Sequence, residues 1–116
     1  MSQVKWKTRW TPPGSDKEYR VEVMGGWDNP LQGYFLTIFN LDADGDDDGE
    51  EDVLWDSMSK DGYPFKSTAP LETALSELGI DAPMDSKGID FWEIVSFQEG
   101  NVLYNYHNGE WRKSTF

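Results

Sequence analysis

The sequence predicts an α+β fold: an antiparallel sheet of about six or seven strands, arranged as two meanders, with one main helix at about residues 69–78 packed on one face. Three observations carry this expectation. Apolar alternation recurs in stretches of strand length, one stretch alone has helical periodicity, and clusters of Gly, Pro, Asn and Asp separate the stretches. A length of 116 residues suits one domain, residues 1–116, able to bury a core without disulfides. The chain is rich in core-forming rings, with 6 Trp, 5 Tyr and 6 Phe, each of which removes a large apolar area from water when buried.

Residues 4–10 alternate strictly. Val4, Trp6, Thr8 and Trp10 point one way, and Lys5, Lys7 and Arg9 the other, the pattern of a half-buried strand. Pro12, Pro13 and Gly14 end it. Residues 18–24 alternate again, with Tyr19, Val21 and Val23 on one face and Arg20 and Glu22 on the other. Gly25-Gly26 is expected to end this second strand, leaving Trp27 in a loop with Asp28-Asn29-Pro30. Residues 33–41 are apolar on both faces, as in a central strand. Val53-Leu54-Trp55 reads as a short strand.

Leu71, Ala74, Leu75 and Leu78 recur at helical spacing. Thr68 is placed to cap that helix, Pro70 suits its first turn and Gly79 its end. Beyond a loop at 80–90, residues 91–98 are expected to form a strand, although 90–96 also fit a helix. Residues 102–107 and 110–115 then pair around Asn108-Gly109, which accommodates the positive φ of a two-residue hairpin turn.

Charge is distributed unevenly. Asp42, Asp44, Asp46, Asp47, Asp48, Glu50, Glu51 and Asp52 lie within eleven residues, uninterrupted by any base. They account for most of the net charge of −12; the rest of the chain holds 14 acids against 10 bases. So polar a stretch cannot bury enough apolar surface to order itself, and a flexible acidic loop is expected at 42–52. Within it, Asp44, Asp46, Asp48 and Gly49 match D-x-D-x-D-G, and these residues resemble the start of an EF-hand calcium loop. The resemblance implies Asp44, Asp46 and Asp48 as calcium ligands. It departs from the pattern at Glu51, where an apolar residue belongs, at Trp55, where the bidentate Glu belongs, and in flanks that read as strands.

The charge also excludes function classes. Nucleic acid and anionic membranes select clustered bases, so neither is an expected direct partner. The expected partner is a protein with a basic surface, contacted by the acids of 42–52 and by Trp27, whose ring beside Asp28 and Asn29 suits anchoring. A second reading is a phosphate-imitating inhibitor of a nucleic-acid-binding protein; the chain resembles such mimics in size and charge alone. Lys5, Lys7 and Arg9 read as solubilising bases on an edge strand or as a patch complementary to an acidic loop.

Chemistry-bearing motifs are few. Without cysteine, disulfides, thiolate catalysis and cysteine zinc sites are excluded. The single histidine, His107, precedes a hairpin turn. No nucleophile elbow, phosphate loop or metalloprotease motif occurs. Carboxylate pairs are the remaining acid–base candidates, Asp90 with Glu93 and Asp28 with Asp56. The expectation is a non-enzymatic, cofactor-free cytoplasmic binding protein, since residues 1–10 lack a signal-peptide core and no stretch reaches membrane-spanning length.

Overall fold

A computed structural model describes residues 2–41, 53–60, 63–98 and 101–115. The elements are β1 (Gln3–Trp10), β2 (Tyr19–Asp28), β3 (Gly33–Asn40), β4 (Val53–Asp56), α1 (Ala69–Glu77), α2 (Phe91–Val95), β5 (Val102–His107) and β6 (Glu110–Thr115), with a 3-10 turn at Ser57–Ser59. The six strands form one sheet in the order β4-β3-β2-β1-β5-β6. The fold is α+β, with α1 as its main helix.

The sheet is mixed rather than purely antiparallel. β4, β3, β2 and β1 form an antiparallel meander, but β1 pairs β5 in parallel, with Val4 opposite Tyr104. The expected second meander is a two-stranded hairpin, β5–β6. Parallel neighbours need a crossover connection. Residues 57–101 provide it, carrying the chain from the β4 edge past three strands to β5.

The strand expected at 91–98 is instead α2 followed by a turn. Phe91, Ile94 and Val95 are all buried, a helical i, i+3, i+4 pattern. Asp90 caps it, its carboxylate accepting from the Glu93 N–H at 2.8 Å. The β-forming Trp92 and Val95 hide this local capping signal in the sequence.

Gly25-Gly26 also departs from expectation. These residues do not end β2, which runs on to Asp28 and places Trp27 in the strand. They are packing positions on opposite faces. A Cβ at Gly25 would lie 2.7 Å from Cζ of Phe91, so the bare backbone is what admits that ring. A Cβ at Gly26 would collide with the Ser2 carbonyl and lie 2.9 Å from the Phe35 ring. Ser2 itself donates its N–H to the Trp27 carbonyl, and its hydroxyl accepts from the Trp27 N–H, each at 2.9 Å.

Helix α1 ends as its sequence requires. Gly79 adopts φ +80°; its N–H bonds to Ser76 O, and the Ile80 N–H bonds back to Leu75 O at 3.1 Å, the paired bonds of a glycine-terminated helix. Its start differs from expectation. The Thr68 hydroxyl bonds to the Glu72 carboxylate at 2.8 Å and caps no backbone N–H. Leu71 and Leu75 are buried and Leu78 partly so. The Trp10 indole N–H donates to Leu78 O at 2.8 Å and fixes the helix end on β1.

The core lies between the helices and one sheet face. Val4, Trp6, Trp10, Val21, Val23, Leu36 and Ile38 come from the strands, and Leu71, Leu75, Phe91 and Ile94 from the crossover. Full burial of such side chains stabilises by about 1.5–3 kcal/mol each. Gly26→Ala is expected to destabilise by about 1–3 kcal/mol, and by more than Gly25→Ala, because it meets backbone rather than a ring that can shift. Urea unfolding midpoints of the two variants check the order.

Candidate interaction surface

Because the crossover covers one face, the residues that alternate with the core form the opposite face. Register places them in rows. One row reads Arg112, Asn105, Lys5, Met24, Thr37, Asp56 from β6 to β4. It runs from a cation to an anion. The neighbouring row places Lys7 beside Glu22, Phe39 and Val53. The face is therefore basic along β1, at Arg20 of β2 and at Arg112 of β6, and apolar and acidic over the Met24–Asp28 part of β2, β3 and β4.

On the basic half, Lys5 lies 3.8 Å from Glu22 and Arg9 3.0 Å from Glu18. The Arg9–Glu18 pair is well exposed, so it contributes little to stability. A groove of about 750 Å³ here is bordered by Lys5, Lys7, His107 and Arg112. His107 is exposed at the hairpin, directly before Asn108, whose φ is +52°. The bases of β1 lie on a strand flanked by β2 and β5, not on the sheet edge expected from the sequence.

The other half holds a groove of about 300 Å³. Phe35 and Thr37 form its floor at 5% and 7% exposed. Tyr63 and Met58 border it from the segment after β4, and Asp28 and Asp56 from the strand ends. Local structure explains this arrangement. A Cβ at Gly33 would collide with Pro64, so the glycine lets the Tyr63-Pro64 segment settle on β3. Buried Ser57 accepts the Leu36 N–H at 2.9 Å, continuing the satisfaction of β3 where β4 stops. Asp56 accepts the Met58 N–H at 3.0 Å and the Thr37 hydroxyl at 3.3 Å, which holds its carboxylate in place.

The groove is electrically negative. Burial pushes the Tyr63 phenol above its ordinary pKa of 10.0, and the Asp28 and Asp56 carboxylates push it further the same way. Both effects disfavour a phenolate.

The sequence-nominated residues fare differently. Asp28 and Asp56, distant in sequence, border one groove. Asp90 is an N-cap whose oxygen accepts the Glu93 backbone N–H, a structural role. Trp27 is 7% exposed, with its ring edge-on to Tyr34 at 4.9 Å; little of it is left for a partner to touch. The acids Asp42, Asp44, Asp46, Asp47, Asp48, Glu50, Glu51 and Asp52, and with them the calcium pattern, lie outside the described residues. Among the described residues, no three His, Asp or Glu side chains are grouped to hold a metal, and no helix is long and apolar enough to cross a membrane. Sequence reasoning missed Phe35, Phe39 and Tyr63. The apolar-on-both-faces run 33–41 was the available signal, since one of those faces is not the core.

Comparison of the chain with protein-family models, with curated proteins and with solved structures finds no match in any of the three.

The groove charge is open to direct measurement. Tyr63 is expected to titrate above its ordinary pKa of 10.0 and to fall toward it in the Asp28→Asn, Asp56→Asn variant; difference absorbance against Tyr63→Phe reads it. Because the folded-state pKa is raised, the stabilisation is present below pH 10 and lost as pH rises through the folded value.

Proposed function

We propose that this chain is a small, non-enzymatic binding module for a protein with a basic surface, and that the acidic stretch 42–52 makes the first contact. One observation carries the reading. The eight carboxylates lie in the chain between β3 and β4, the two strands whose outer face also bears Asp56 and the apolar groove. Among the described residues, the carboxylates of Asp28 and Asp56 line that same groove, and the acidic stretch is proposed to extend its charge. Charge steers encounter and apolar contact holds it. The composition, with no cysteine, suits a reducing compartment, and cytoplasmic residence is part of the same proposal.

A phosphate-imitating inhibitor is a poorer fit. Such a surface needs carboxylates laid along a face, whereas the outer sheet face carries Lys5, Lys7, Arg9, Arg20 and Arg112 over half its width.

The test is affinity capture at low and high salt. It compares the intact chain with a variant whose eight acids at 42–52 are Asn or Gln. The expected result is a partner set held at low salt, released at high salt and lost with the variant. Partners retained unchanged by the variant would remove the acidic stretch from the account.

A further inference from the structure

The groove over β2, β3 and β4 has two kinds of wall. Phe35, Phe39 and Met24 on the sheet, with Met58 and Tyr63, are apolar or aromatic, while among the described residues Asp28 and Asp56 are the charged groups that line it. No lysine or arginine lines it. An apolar trough ended by carboxylates matches one kind of side chain: a long aliphatic stem with a cationic head. We propose that the groove receives a lysine side chain of the partner protein. The stem lies along Phe39 and Met24 and the ammonium is directed to Asp56, which shares a cross-strand row with Met24 and Thr37, while Asp28, farther along β2, adds to the negative field around Tyr63. The inference rests on the binding-module reading and supplies the chemistry by which the partner is recognised.

Lysine fits better than arginine for a geometric reason. A guanidinium seeks two free carboxylate oxygens in one plane. Here one oxygen of each aspartate is already engaged. Asp56 Oδ1 takes the Met58 N–H and the Thr37 hydroxyl, and Asp28 Oδ1 takes the Leu31 N–H at 3.4 Å. An ammonium is a point charge and can approach the one remaining oxygen of Asp56. An aromatic face nearby adds cation–π attraction. The volume, about 300 Å³, is at the lower bound of ligand sites and suits one side chain rather than a cofactor. The raised pKa of Tyr63 agrees with a site that is both partly dehydrated and negative.

The chain contains its own reporters. Of its four methionines, Met24 and Met58 line the groove, while Met84 is elsewhere and 56% exposed. The experiment is methyl NMR of methionine-labelled protein, titrated with the blocked peptide Gly-Gly-Lys-Gly-Gly and with its norleucine analogue, which keeps the stem and lacks the charge. The expected result is that the Met24 and Met58 methyl signals move together with the lysine peptide while Met84 stays. The norleucine peptide is expected to bind about tenfold more weakly. Asp28→Asn with Asp56→Asn should erase that difference. Asparagine keeps the cap at position 56, and the methyl spectrum reports whether the fold is intact; should it be lost, Asp28→Asn alone should narrow the difference by weakening the negative field. Stationary Met24 and Met58 signals at millimolar peptide, or equal binding of the norleucine peptide, would overturn the proposal. Repeating the titration on the variant neutralised at 42–52 separates the two readings. Groove shifts without salt-dependent capture sink the acidic-stretch reading alone; capture without groove shifts sinks the lysine site alone.

Discussion

Phe91 packed on the bare backbone of Gly25 is the contact on which the rest of the structure depends. Its ring lies 4.7 Å from Trp6, 4.8 Å from Trp92 and 6.3 Å from Trp111. It therefore joins β1, β2, α2 and β6. This matters because the two parts of the sheet are otherwise thinly joined: β1 and β5 share a register of three residue pairs. The β5–β6 hairpin is secured from the side by its rings. Trp111 donates its indole N–H to Ile89 O at 3.0 Å, and Tyr106 its hydroxyl to Met84 O at 3.1 Å. A large side chain at position 25 would lift α2 and, with it, the segment that receives both rings.

That packing decides which face is left outward. With the crossover on one side, the residues alternating with the core face outward, and only some of them, such as Phe35 and Thr37, are covered by the segment after β4. The charges there are sorted rather than mixed. The helical side is acidic as well: Glu72, Glu77, Asp81, Asp85, Asp90 and Glu93 accompany a single base, Lys87, between residues 69 and 98. The bases are thus gathered where they lie near acids of neighbouring strands, as Lys5 does to Glu22. Concentrated charge of one sign raises the self-energy of a folded chain, and bases beside acids of the neighbouring strand, as at Lys5 and Glu22, relieve it locally.

Periodicity made most elements legible. The strands at 4–10, 33–41, 102–107 and 110–115 and the helix ending at Gly79 follow from alternation, spacing and turn residues. Where the reading failed, a long-range contact overrode local grammar. Gly25-Gly26 looks like punctuation, yet each glycine is set by an atom far along the chain or on the facing strand. Residues 91–98 contain β-forming side chains, but the Asp90 cap and the burial of Phe91, Ile94 and Val95 select a helix. Parallel pairing of β1 with β5 leaves no local trace in sequence at all. The site was legible only in part. Asp28 and Asp56 could be nominated as a pair, but nothing local shows that Phe35 and Phe39 face away from the core and toward them.

The polarity of the outer face bears on how a basic partner would bind, beyond whether it binds. A cationic surface approaching the sheet meets repulsion over Lys7, Arg9 and Arg112 and attraction at the β3–β4 end. Over distances within a Debye length, about 8 Å at physiological salt, such a gradient turns the partner before contact and raises the fraction of productive encounters. Attraction alone would leave many orientations nearly equal, because eight acids in eleven residues offer no unique register. The apolar groove supplies what the acids lack, a fixed concave shape with two carboxylates held by the backbone. On the proposed reading, the acidic stretch would govern the rate of association and its salt dependence, and the groove would govern which cation is retained.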